Sequence, residues 1–181
     1  MTTSALGGMD PFFRRMIGAL RLESAAYEEI EADKNATGEA AFIVVATSLL
    51  SGAVGFATTG AGGGLIDAMA ALIGWALYAQ LAYLLGTRVF RGPGATADWG
   101  EVARTLGFAN TPRFLILLAL IPGIGDLVRS VIGFWVLIAT VTALKTALDC
   151  SPGRAIFIGI VAWLAQVFIL VIAFVLIAGF A

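Results

Sequence analysis

Four ionisable residues stand within or beside the apolar stretches of this 181-residue chain, and any chemistry at membrane depth would begin with them: Asp67, Arg113, Asp126 and Arg129. A charge held in a bilayer is costly and marks an ion path, a ligand site or a pair that fixes helices. Asn110, Gln80 and Gln166 are their neutral polar companions. Asp126 and Arg129 stand three apart, so a helix puts them on one face, and the spacing predicts an ion pair at a helix end. Arg113 follows Pro112 and either lines a polar cleft or sends its long stem to the interface. Paired carboxylates, a nucleophile with its base and metal-ligand spacings are all missing. With no His and a single Cys150, the chain has neither an ordinary zinc or haem site nor an internal disulfide. We expect no cofactor, no metal and no enzymatic activity. The glycine-rich run Gly60-Ala61-Gly62-Gly63-Gly64 lacks the Lys-Ser/Thr of a phosphate loop and reads as a tight hairpin.

The elements that must carry these residues are membrane helices. Residues 40–66, 68–87, 130–144 and 155–181 contain no Asp, Glu, Lys or Arg, and a spanning helix needs about 20 mostly apolar residues. At 60% hydrophobic and 13% charged, the chain has too little polar surface for a soluble core of its size. The expected fold is an all-α integral membrane protein, a five-span helical bundle with an N-terminal amphipathic helix. Its spans run from about Ala40 to Thr59, Leu65 to Gly86, residues 101 to 121, Leu127 to Leu148 and Ala155 to Gly179. The third holds Glu101, Arg104, Asn110, Pro112 and Arg113, and Pro112 predicts a break in it. Gly92-Pro93-Gly94 predicts a turn before it. On five spans, ten of the 11 basic residues fall on one side and Arg129 alone on the other, which predicts a cytoplasmic N-terminus.

Ahead of the spans, residues 1–9 are expected as a disordered tail, 10–38 as an amphipathic cytoplasmic or interfacial helix with its linker, and 39–181 as the transmembrane domain. Asp10-Pro11 supplies the helix start, an N-cap with proline in the first turn. Phe13, Met16, Ile17 and Leu20 recur at helical spacing, with Arg14 and Arg15 on other faces, so these six residues are lipid-surface candidates. The same moment suits a helix packed on the bundle, and both readings stay open. Small residues at four-residue spacing, Ala139, Ala143 and Ala147 on one span and Ala70 and Gly74 on another, predict close helix contacts, as does Gly107.

The run Glu101-Val102-Ala103-Arg104-Thr105-Leu106-Gly107-Phe108-Ala109-Asn110-Thr111-Pro112 resembles the Yip domain family of Ypt/Rab-interacting membrane proteins. Ile121-Pro122-Gly123-Ile124-Gly125, Trp135 and Ser151-Pro152-Gly153-Arg154-Ala155 extend the likeness over about residues 20–180. The resemblance implies five membrane helices and a non-enzymatic role. In eukaryotic members it implies GTPase binding through a long cytoplasmic N-terminal region, which this sequence does not carry. Its compact, Ala- and Gly-rich character looks like the bacterial members, hence an inner (plasma) membrane protein. The expected role is that of a scaffold or membrane organiser. The alternatives are a small transporter or channel along Arg113, Asn110, Pro112 and the Asp67, Asp126 and Arg129 group, or an accessory subunit of a larger complex. Membrane lipids are the expected partners, with a homo-oligomer or membrane complex beside them. A net charge of −1 sets nucleic acid aside.

Overall fold

The computed structural model describes residues 9–92 and 97–179, and all its regular elements are helices. The expected tail, Met9 apart, and Pro93 and Gly94 of the expected turn lie outside the described residues.

Helix α1, Pro11–Leu20, starts where the sequence puts it, with the Phe12 amide donating to Asp10 Oδ1 at 2.9 Å. It stops after ten residues. Leu22 takes a left-handed φ of 60°, the Glu23 amide donates to the Gly18 carbonyl and the Leu22 amide to that of Ala19. This is the hydrogen-bond pattern of a Schellman end, with leucine where glycine is usual. Helix α2, Ser24–Ala32, then folds back on α1, with Ala26 packed so tightly on Gly18 that no side chain fits there. The single N-terminal amphipathic helix is thus two short ones.

Helix α3, Ala36–Leu84, continues through a π turn at Leu85–Val89. It doubles back at Gly60, whose φ of 83° and ψ of −175° suit a residue without Cβ. The arms meet through small residues: a Cβ on Gly52 would lie 2.8 Å from that of Ala68, and one on Gly64 2.7 Å from the Gly52 carbonyl oxygen. Only Gly60 leaves the helix, so residues 61–64 are not the loop their composition predicts. Each arm is roughly 36 Å long at 1.5 Å per residue, enough for a hydrocarbon core of about 30 Å.

Helix α4, Trp99–Phe108, opens on a reciprocal cap: the Glu101 amide donates to Asp98 Oδ1 and the Asp98 amide to Glu101 Oε2, both at 2.8 Å. Asn110 Nδ2 and Thr111 Oγ1 donate to the Leu106 and Phe108 carbonyls at its far end. Pro112 has no amide to continue the ladder, and Thr111–Leu120 winds instead as a tighter 3-10 helix. The predicted break lies there. Helices α5, Gly125–Ala147, and α6, Pro152–Gly179, complete the chain.

Three helices among the described residues are long and apolar enough to cross a membrane: Ala36–Val89, bent at Gly60, Gly125–Ala147 and Pro152–Ala173. This overturns the expected five-span bundle. The first two expected spans are one bent helix, and the third is two ten-residue pieces, each well short of the length of a span.

The core gathers around α4, where Val102 to Ala109 are all buried. Tyr27 and Ile30 of α2 and Ile43 of α3 belong to the same apolar cluster, with Ala139, Ala143 and Ala147 of α5 and Ile158 of α6. Outward, Phe42, Leu49, Phe56, Phe134 and Phe168 stand more than half exposed, an apolar surface suited to a membrane. Gly107 brings α4 close against α3: a Cβ there would meet the Ala40 Cβ at 2.8 Å and its carbonyl oxygen at 3.2 Å. Gly107→Leu should therefore part α4 from α3 and destabilise the protein by about 1–3 kcal/mol. A wild-type melting temperature for this variant in detergent would refute the contact.

Candidate functional site

Arg15 is the centre of an ionic knot. Its side chain is 7% exposed, with Nε donating to Glu29 Oε1 at 3.0 Å, Nη2 to Asp33 Oδ2 at 2.5 Å and Nη1 to Glu39 Oε2 at 2.9 Å. Arg14 Nη2 donates to the same Glu29 oxygen at 2.7 Å. The three carboxylates come from α2, the α2–α3 link and the first turn of α3, so one guanidinium ties three segments together. Burial works to lower the Arg15 pKa, but its bonds to Glu39, Asp33 and Glu29 outweigh this and raise it. Glu29 is likewise partly desolvated, yet its bonds to Arg14 and Arg15 hold its pKa below the usual carboxylate value. The Asn35 amide, and then Arg15, do the same for Asp33.

Arg104, 5% exposed, makes a second tie. Nε and Nη2 donate to the carbonyls of Ile30 and Glu31 at 3.3 and 2.6 Å. A cation there satisfies carbonyls that α2 cannot satisfy itself and complements its dipole. Beside it the Glu31 carboxyl is pushed up to about 7 by burial, then by the charges of Asp149 and Glu101.

A third feature lies among the membrane helices. A half-open groove of about 920 Å³ runs between the second arm of α3, α5 and α6, lined by Trp75, Tyr78, Gly133, Trp163 and Gln166, with Leu106, Asn110 and Arg113 also on its wall. Tyr78 Oη donates to the Gly159 carbonyl at 3.3 Å and Gln166 Nε2 to that of Gly74 at 3.1 Å. Those bonds bracket the groove and hold α6 to α3.

The residues singled out in the sequence are therefore scattered. Arg104, Gly107, Asn110 and Pro112 serve the packing and ends of α4. Arg113 lines the groove. Asp126 and Arg129 pair at 3.3 Å on an exposed turn of α5, beside Ala57 and Thr58 and away from Arg113. Asp67 is exposed and packs near Gly55. One polar path through all of them is not formed. Among the lipid-surface candidates, Phe13 is exposed, whereas Met16, Ile17 and Leu20 are half-buried. Arg15 faces inward to Glu29, Asp33 and Glu39, and Arg14 turns to Glu29. Trp135 Nε1 also donates to the Leu20 carbonyl at 3.0 Å, which fastens the end of α1 to α5. The segment packs on the bundle through Arg15 and Trp135 and keeps Phe13 exposed on its outer side.

Residues 17–174 match the Yip1 domain. The chain belongs to the Yip1 domain family. This Yip1-domain protein is a multi-pass integral membrane protein, and among the described residues no cluster of His, Cys, Asp and Glu could hold a metal. No curated protein and no solved structure matches it.

Sequence reasoning missed the Asp98–Glu101 cap, although a capping residue followed three positions on by Glu is a readable sign. It named Trp135 without its bond to the Leu20 carbonyl, a contact that depends on a segment far away in the chain.

Two outcomes follow from the knots. Arg15→Ala leaves Glu29, Asp33 and Glu39 without their shared cation and should lower unfolding stability by about 3 kcal/mol, read as an earlier midpoint in denaturant. Glu31 gives a pH dependence. Its folded pKa is raised from 4.5 to about 7, so the folded state holds the proton more tightly. The stability this brings is complete below the unfolded value and is lost as pH climbs to about 7. Glu29 and Asp33, held low, titrate below that window. Because Glu31 is only part-buried, solvent screening holds the loss to about 1 kcal/mol. The wild-type melting temperature should fall between pH 5 and 8, and Glu31→Gln should remove most of that fall.

Proposed function

We propose that this Yip1-domain protein is a membrane scaffold or organiser, with the α1–α2 unit as its partner-facing element. The observation that carries this is the use made of the polar side chains among the membrane helices. Tyr78 and Gln166 donate to main-chain carbonyls of a neighbouring helix and so hold α6 to α3, and Asn110 donates to a carbonyl of its own helix end. The α1–α2 unit, by contrast, is fixed rigidly yet presents Phe13, Arg21, Glu23 and Glu28 outward. A fixed, charged and partly aromatic surface on a lipid-facing bundle suits assembly with other membrane proteins, itself included.

Charge supports a cytoplasmic position for this unit. Gly86 touches Leu148 and Gly92 touches Arg154, so Arg88, Arg91, Lys145 and Arg154 gather at one end of the helices. Arg129 stands at the other end, beside Thr58 near the Gly60 bend. Positive charge concentrates on the cytoplasmic side of membrane proteins. A bacterial inner (plasma) membrane is the proposed location, on the Ala- and Gly-rich composition, with 22 Gly in the chain.

The test is chemical cross-linking in the native membrane followed by sizing. The wild-type protein should be recovered in a discrete assembly larger than one chain, and charge reversal at the outward Arg21 and Glu28 should disperse it without altering the melting temperature. A monomer throughout, or solute flux through proteoliposomes of the purified protein, would sink the scaffold reading, flux favouring a transporter.

A further inference from the structure

The Arg113 groove has the chemistry of a lipid site. Arg113 is the one charged residue on its wall, and no carboxylate among the described residues forms an ion pair with it. Its Nε is buried without a hydrogen-bond partner, and so is Trp75 Nε1, which belongs to the same groove. Two unsatisfied donors, one of them cationic, in a low-dielectric setting call for an acceptor that carries negative charge. A water molecule would serve the indole and leave the guanidinium without a counter-charge.

The rest of the wall is uncharged and, Tyr78, Asn110, Thr140 and Gln166 apart, largely apolar. Leu106, Val136, Val141, Ile156 and Ile160 leave no further charge for a solvated ligand. The rim is open to the surrounding lipid, since Leu137, Ile138, Ile160 and Trp163 are exposed there. A small soluble anion would suit Arg113 but leave most of the groove in contact with nothing. A neutral hydrocarbon chain would fill the groove and leave both donors unsatisfied. We infer that the groove binds one acidic phospholipid of the bilayer, its phosphate at Arg113 and Trp75 and an acyl chain along the apolar wall between α5 and α6. Arginine matches phosphate oxygens in a fork that lysine cannot reproduce, though lysine keeps the charge.

Gly133 gives an independent handle. It lies on the groove wall, and a Cβ there would meet no atom within 4 Å, so a substitution begins without a clash and a phenylalanine is placed to obstruct the groove. The experiment is native mass spectrometry of the full chain in detergent, titrated with phosphatidylglycerol or phosphatidylcholine of the same chains. We expect one phosphatidylglycerol bound at least roughly tenfold more tightly than phosphatidylcholine. Arg113→Gln should erase the preference, Arg113→Lys should keep part of it, and Gly133→Phe should abolish binding while Arg113 stays in place. Inorganic phosphate should not displace the lipid. If Arg113→Gln fails to fold, the lysine and phenylalanine variants decide. Equal binding of the two lipids, retention of binding in Gly133→Phe, or displacement by inorganic phosphate would each overturn the assignment.

Discussion

The contact between Arg104 and the last turn of α2 is the constraint on which the arrangement rests. Helix α4 is buried along nearly its whole length, so it can meet the N-terminal segment only if a buried charge is fully answered there. The answer comes from main-chain carbonyls of Ile30 and Glu31 in place of a carboxylate. Because carbonyl oxygens at a helix end are fixed by the helix itself, this bond sets the position and the direction of α2 together. Once α2 is placed, Glu29 and Asp33 are in position for Arg15, and α1 follows.

Two different solvents hold two parts of the molecule. Around α1, α2 and α4, burial of Tyr27, Ile30 and Phe108 removes apolar surface from water, and ion pairs add direction. Along the arms of α3 and between α5 and α6, lipid is as apolar as any side chain and supplies no such drive. There the close contacts are glycine and alanine, with Gly52 against Ala68 and Ala139 and Ala143 wholly buried. Phe134, Leu137 and Phe168, of the types that would form the core of a soluble protein, face outward instead. The same chain thus follows opposite packing rules a few residues apart.

That division explains what could be read from the sequence. Apolar run length revealed the membrane helices, four-residue spacing revealed the α5 contact stripe, and Pro112 revealed the break. Three-residue spacing predicted the Asp126–Arg129 pair. The end of α1 was hidden because Leu22, and not glycine, adopts the left-handed conformation, so no local signal marks it. The inward turn of Arg15 was hidden for another reason. Its partner Glu39 is 24 residues away, and periodicity on one helix says nothing about carboxylates on the next. The span count failed for a different reason: the charge split and the family resemblance supplied a span at 101–121, and neither registers that Thr111–Leu120 tightens into a different helix. The membership of Arg113 and Trp75 in one groove depends on four separate segments and has no local trace.

The bend at Gly60 bears on how the protein enters a membrane. Between Thr59 and Leu65 the chain carries no charge and, beyond the bend itself, no break in its main-chain hydrogen bonding. A polar loop would have to be stripped of water on its way through the hydrocarbon, group by group. Here the tip of the hairpin brings only a few unbonded amides, so the two arms can be inserted as a closed pair, with their glycine contacts already made. Biogenesis of this half of the protein then needs no translocated domain, and Asp67 is the single charge that the hairpin carries with it into the bilayer.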